Sequence, residues 1–143
     1  MKLLAKTFDA LSAKDVYEIL KSRAEVFLLE QNIICMDADD VDYTALHCFF
    51  MENNRVIAYL RAYQVDAQTV RIGRVLTLQH GVGIGKELLA QSLPVIQCAF
   101  SCKTIVLDAQ THAIGFYARA GFQVSSGEFL EEGVPHVKME LQV

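Results

Sequence analysis

Apolar and polar positions alternate along this chain with two different periods, and their order predicts a strand, a helix and then three strands in succession. Leu3 to Phe8 is short and apolar, as a first strand would be. Ser12, with Asp15 three residues on, has the form of a capping box and opens a helical pattern. Val16, Leu20, Ala24 and Phe27 then recur near helical spacing and are its expected buried stripe. Met36 to Asp42 is acidic and loop-like. Ala45 to Met51 is β-rich and ends at Glu52-Asn53-Asn54-Arg55, whose adjacent asparagines suit a tight hairpin turn. Val56 to Val65 carries Ile57, Tyr59, Arg61, Tyr63 and Val65 on one face and Val56, Ala58, Leu60 and Ala62 on the other. Both faces look covered, as in a central strand. Val70 to Leu78 returns after a turn at Asp66-Ala67-Gln68, with Gly73 as a candidate bulge.

Beyond Gly81, Gly83 and Gly85 the period becomes helical, with Ile84, Leu88, Val95, Ile96 and Ala99 on the expected apolar face. Pro94 should kink or shorten that helix. Thr104 to Leu107 reads as a buried strand, and Ala113 to Arg119 as a short helix stopped by Gly121. Strands near Phe122 to Ser126 and His136 to Leu141 complete the pattern. An antiparallel meander followed by strand-helix-strand is the order of an α/β or α+β fold around one sheet.

Composition narrows the class. The chain has 143 residues, 52% of them hydrophobic and 21% charged, which fits one globular domain over residues 1–143. Acidic residues (17) outnumber basic ones (13), giving a net charge of −4 and arguing against nucleic acid as a partner. No stretch of about 18 uncharged apolar residues is present, so no membrane span is expected. Lys2 and Lys6 interrupt the N-terminus too early for a secretion signal, so a cytoplasmic location is expected. Cys98 and Cys102, four apart, would share a helix face as metal ligands do. Buried small hydrophobes is the better reading of all four cysteines, and no metal is expected.

The segment most informative about chemistry is Val75-Leu76-Thr77-Leu78-Gln79-His80-Gly81-Val82-Gly83-Ile84-Gly85-Lys86. A strand ends, glycines turn the backbone, and a helix begins. The unpaired N–H groups and positive dipole end of such a helix attract phosphate, and Lys86 adds a charge. The ATP-binding P-loop would need glycine where His80 stands and Ser or Thr where Glu87 stands. The dinucleotide fingerprint starting at Gly81 would need glycine where Lys86 stands. Neither fits, and three glycines on their own suit a plain loop as well.

The same segment resembles the GCN5-related N-acetyltransferase (GNAT) family, whose signature here is [RQ]-x-x-G-x-[GA]. This chain reads His80-x-x-Gly83-x-Gly85, so histidine replaces the first signature residue, and the segment before the glycines is shorter than the pattern. Phe116-Tyr117-x-x-x-Gly121-Phe122 is similar to a second family block. Arg23-x-x-x-Phe27-x-x-Glu30-Gln31, Ile72-Gly73-Arg74-Val75, Ala109-Gln110 and Gly133-Val134-Pro135-His136 resemble the family's ElaA-like bacterial subgroup. These blocks are collinear over nearly the whole chain.

The resemblance implies a GNAT-type single mixed sheet of about six to seven strands flanked by about four helices, with a cofactor cleft between two splayed parallel strands. It implies direct transfer of an acetyl group from acetyl-CoA to an amine of a small molecule or peptide, with a homodimer common in the family. Val75 N–H would hold the thioester oxygen and Thr77 a pantetheine amide. Gly81, Val82, Gly83, Gly85 and Lys86 would offer amides to the pyrophosphate. Tyr117 fits the general acid for the departing thiolate, and Glu30 fits the acceptor pocket built after the first helix. Glu30, His136 and the Asp37–Asp42 cluster are candidates for the general base, and the acidic cluster suits a cationic acceptor or, equally, a solvated loop. Arg61 and Arg74, charged residues in strands, need partners if buried, and His47 and His112 are expected to be non-catalytic. A non-catalytic acyl-CoA-binding or interaction module of the same fold is the alternative.

Overall fold

The computed structural model describes residues 1–143. Strand β1 (Leu4–Thr7) precedes helix α1 (Ala13–Arg23), which continues as a π-helical stretch over Ala24–Glu30. Strands β2 (Leu46–Glu52), β3 (Arg55–Asp66) and β4 (Thr69–Thr77) form the meander. Helix α2 (Ile84–Phe100), strand β5 (Thr104–Gln110) and helix α3 (Ile114–Arg119) follow. Strands β6 (Gln123–Val124), β7 (Phe129–Glu131) and β8 (Val134–Gln142) end the chain. One mixed sheet of eight strands results, in the order β1-β2-β3-β4-β5-β8-β6, with β7 paired to β8. The sheet thus has more strands than the resemblance implied and, with three helices, fewer helices. No helix is long and apolar enough to cross a membrane.

Local chemistry explains most boundaries. Ser12 and Asp15 form the reciprocal capping box, each side chain accepting from the other's backbone N–H at 3.0 Å. Asn53 and Asn54 both adopt positive φ (50° and 63°), the backbone that a two-residue hairpin demands and asparagine tolerates. Gly121 ends α3 at φ 102°, and a Cβ there would meet Leu141 Cδ1 at 3.1 Å.

Two helix faces differ from expectation. In α1 the buried residues are Asp15, Glu18, Ile19, Ser22 and Arg23, whereas Leu20 and Ala24 are exposed. Polar bonding decides that rotation: Ser22 Oγ donates to the Val56 carbonyl at 2.6 Å, and Arg23 is drawn inward by carboxylates. The π-helical stretch then resets the period, with Gln31 N–H bonded to the Val26 carbonyl at 2.9 Å. In α2, Leu88, Leu89, Ser92 and Ile96 are buried, while Val95 and Ala99 face outward. Pro94 does not shorten α2; the carbonyl it leaves unpaired belongs to Ala90, an exposed residue where water can bond.

The sheet is covered on both sides. Ile19 from α1 and Val26 from its π-helical continuation pack on Phe49, Val56, Tyr59 and Leu76. The larger cluster joins α2 and α3 to the other face through Leu88, Ile96 and Tyr117 against Leu60, Ile72 and Leu107. Cys48 and Cys102 are buried thiols, as expected, but Cys35 and Cys98 are exposed. No group of three or more His, Cys, Asp or Glu side chains forms a metal site.

Candidate active site

Strands β4 and β5 are parallel, and they pair only from Thr69–Thr104 to Arg71–Val106. Beyond that point β4 stays with β3 as far as Thr77, and β5 stays with β8 as far as Gln110. The two strands therefore part into a wedge, since each is held by its outer neighbour. A cleft of about 640 Å³ opens there, and Val75, Leu107, Tyr117, His136 and Gln31 are among its walls.

A bulge shapes the β4 wall. Gly73 pairs with Arg61 and Leu76 with Tyr59, so Arg74 and Val75 together stand opposite the single residue Leu60. The bulge lies beside Gly73, but the residue with left-handed backbone is Arg74, at φ 53°. Positive φ is unfavourable for a residue with a Cβ, so something must hold Arg74 there.

That something is a closed ring of three arginines and three aspartates. Arg23 bonds Asp37 at 2.8 Å and Asp42 at 2.7 Å. Arg61 bonds Asp42 at 2.9 Å and Asp39 at 2.7 Å. Arg74 closes the circuit to Asp37 at 2.9 Å and Asp39 at 3.3 Å. Arg23 and Arg74 also each donate to the Asp37 carbonyl, at 2.8 and 3.0 Å. The acidic segment is thus neither a freely solvated loop nor three free carboxylates awaiting a cation. Hydrogen bonds from Arg61 draw the Asp39 carboxyl down to about 2. Burial pushes Asp42 up, but Arg23 and Arg61 outweigh it and the net shift is downward. Folded-state values below the unfolded carboxylate value of about 3.9 add stability above that pH, which is lost as pH falls towards about 2. We expect the melting temperature to drop between about pH 4 and pH 2, and less steeply in Asp39→Asn, as scanning calorimetry across that range would show.

Past the splayed end of β4, at the open side of the wedge, Gly81 (φ 76°) and Gly83 (φ 80°) turn the chain into α2. Gly83 is the N-cap, no side chain caps the helix, and the first helical bond there runs from Glu87 N–H to the Gly83 carbonyl at 3.1 Å. The first-turn amides are thus not answered by a protein side chain. A Cβ on Gly85 would meet Thr77 Cγ2 and Phe116 Cζ, both at 3.4 Å, which places the helix start tightly between the β4 end and α3. Val82 and Lys86 are exposed on this loop and first turn.

Tyr117 is buried against Phe116 and Phe122, with ring centroids 5.0 and 6.0 Å away, and it reaches the cleft. Burial alone raises its phenol well above the usual tyrosine value. His136 lies opposite Gln110 on β8 and also lines the cleft. Its Nδ1 donates to the Val134 carbonyl at 2.7 Å, which leaves the Nε2 lone pair of the neutral ring free, 3.5 Å from Glu131. Glu30 is not among the cleft walls. Its carboxylate instead meets His80 Nε2 at 2.6 Å, and His80 Nδ1 lies 3.5 Å from Thr77 Oγ1. The neighbouring Gln31 accepts from Gln110 Nε2 at 2.9 Å. The π-helical end of α1 is therefore tied to both flanks of the wedge. His47 is buried, bonded to Tyr59 Oη at 2.7 Å and to the Asp42 carbonyl at 2.9 Å; burial, chiefly, lowers its pKa. His112 is exposed and bonded to Gln110.

Residues 10–143 match the acetyltransferase (GNAT) domain. The chain belongs to the GNAT family. A UPF0039 protein of Schizosaccharomyces pombe is 35% identical to this GNAT protein, covering 100% of this chain and 98% of its own length. Protein ElaA of Escherichia coli is 32% identical over 93% of this chain and 91% of its own. The crystal structure of E. coli ElaA superposes with a TM-score of 0.93, covering 99% of this chain and 100% of that one. An acyl-CoA N-acyltransferase from Pseudomonas aeruginosa superposes at 0.91, with 28% identity and 99% of each chain covered. This GNAT chain is therefore of the ElaA-like subgroup, and its fold and family are those of acyltransferases that use coenzyme A.

Proposed function

We propose that this GNAT protein transfers an acetyl group from acetyl-CoA to an amine of a small molecule or peptide. The observation that carries the reading is the uncapped glycine start of α2 beside a wedge between parallel strands. Amides with no partner and a positive dipole end fit a diphosphate, and the unpaired edge of β4 fits an extended amide-bearing arm. Gly81, Val82, Gly83, Gly85 and Lys86 hold the pyrophosphate in this reading, and Thr77 a pantetheine amide. No metal takes part.

Bound acetyl-CoA supplies a thioester; the protein's residues supply orientation and protons. His136 Nε2 accepts the proton that the acceptor ammonium must lose before its nitrogen can attack. As the C–N bond forms, the Val75 N–H at the bulge donates to the carbonyl oxygen that gains negative charge. The C–S bond then breaks, Tyr117 gives its proton to the sulfur, and the surplus proton on the attacking nitrogen restores the Tyr117 phenol, leaving the amide and the free thiol. Because Tyr117 and His136 both open on the cleft, turnover is favoured over a binding-only module. Glu30 does not line that cleft, which favours His136 over it as the base.

Thermal denaturation with and without CoA tests the cofactor half. Ligand at about 100 times its Kd should stabilise the fold by about 2.7 kcal/mol. Thiol release from acetyl-CoA over a panel of amines tests the chemical half, and His136→Gln should lower kcat by about 10²-fold or more. A fold unmoved by CoA would sink the whole reading.

A further inference from the structure

We propose that the arginine–aspartate ring is a positioning device for the reaction, in which Arg74 holds the β4 bulge that presents the Val75 N–H. The proposal rests on the acetyl-transfer reading above and adds to it the residue that sets the geometry of the oxyanion donor.

Arg74 is the only residue of β4 at positive φ (53°), and it immediately precedes Val75. A side chain at that backbone is strained, and strained backbone persists only where its surroundings over-determine it. Arg74 Nε donates to Asp37 Oδ1 at 2.9 Å, and its Nη2 donates to the Asp37 carbonyl at 3.0 Å and to Asp39 at 3.3 Å. Asp37 and Asp39 are themselves anchored to buried guanidinium groups, Arg23 from α1 and Arg61 from β3. The strained residue is therefore clamped to two elements outside its own strand. Without the clamp, a regular β4 would shift its register against β3 by one residue at Val75. A one-residue slip in a strand sends side chains to the opposite face and turns each backbone amide to the opposite edge of the strand. The donor would then point away from the wedge.

Because Arg74 also lines the cleft, a direct role in binding the acceptor is the competing account, and glycine separates the two. Arg74→Ala and Arg74→Gly both remove the guanidinium, but only glycine adopts positive φ without strain. Positioning predicts that Arg74→Ala lowers kcat by about tenfold or more, a share of the 10²–10³ that a complete oxyanion donor contributes. Arg74→Gly should recover most of that loss while the KM for acetyl-CoA stays near the wild-type value. Equal kcat in the two variants, or equal rises in acceptor KM with kcat unchanged, would overturn the proposal. A second measurement does not depend on turnover: the Val75 amide resonance of ¹⁵N-labelled protein. It should move in Arg74→Ala and return towards the wild-type position in Arg74→Gly. An unmoved resonance in the alanine variant refutes the clamp. A moved and restored resonance, in protein that turns over no amine, upholds the clamp and refutes acetyl transfer instead.

Discussion

Replacing Tyr117 by phenylalanine is expected to lower kcat by about 10²- to 10⁴-fold, the usual contribution of a general acid, while leaving CoA binding in place. The substitution is conservative in space: the ring keeps its edge contacts with Phe116 and Phe122, inside the cluster that joins α3 to Leu107 and Val137. Only the hydroxyl is lost. No hydrogen bond contributes to its raised pKa, which burial alone explains, so no partner is left unpaired in its absence and the melting temperature should hold. The same burial keeps the phenol protonated beyond its ordinary value of about 10. The wild-type pH profile should accordingly show no alkaline limb from Tyr117 at or below that pH. Turnover, CoA affinity by calorimetry and thermal melting on one preparation separate the possibilities. Phenylalanine with undiminished kcat would remove Tyr117 from the chemistry. Equal losses in kcat and CoA affinity would make it a packing residue of the cofactor wall.

The parts of the molecule that local rules govern were legible in the sequence. The capping box at Ser12, the asparagine turn, the two-faced central strand and the glycine start of α2 each rest on residues within one turn of each other. The family blocks placed Val75, Tyr117 and His136, and all three line one cleft. What could not be read was long-range electrostatics. Arg23 stood as a block residue with no role, and Asp37, Asp39 and Asp42 as acceptor-attracting or solvated charge, because nothing local pairs an arginine with aspartates fourteen to nineteen positions away. The one available signal was that Arg61 and Arg74 sit in strands and need counter-charges. Followed further, that requirement would have pointed to the nearest run of carboxylates. The same gap explains the face of α1, which a count of apolar residues assigns by hydrophobicity while the fold buries Ser22 and Arg23. The place of Glu30, bonded to His80 rather than lining the cleft, was illegible for a related reason: it ends a π-helical stretch, and periodicity assumes 3.6 residues per turn throughout.

The ring also sets a stability expectation larger than any single apolar contact near it. Arg23 is fully buried, bonds Asp37 and Asp42 through three nitrogens, and its guanidinium lies 5.8 Å from the Tyr59 ring centroid. Replacing it with alanine leaves Asp42, with a side chain 15% exposed, short of one of its two arginines and opens a cavity beneath the acidic segment. Removing one partner of a buried pair destabilises by about 3–5 kcal/mol, because the remaining charge cannot be rehydrated. With a urea m-value near 2 kcal/mol/M, the denaturation midpoint should fall by about 2 M. Arg55→Ala is the proper comparison, since Arg55 pairs with Glu25 at the same 2.7 Å but with side chains 39% and 38% exposed. Water screens that pair, so its loss should cost about 0–1 kcal/mol. Two arginine-to-alanine changes with similar bond lengths thus differ several-fold in effect, through burial and through the number of partners each guanidinium holds. A midpoint for Arg23→Ala as close to wild type as that of Arg55→Ala would mean that the ring carries no folding energy, and the clamp on Arg74 would lose its anchor.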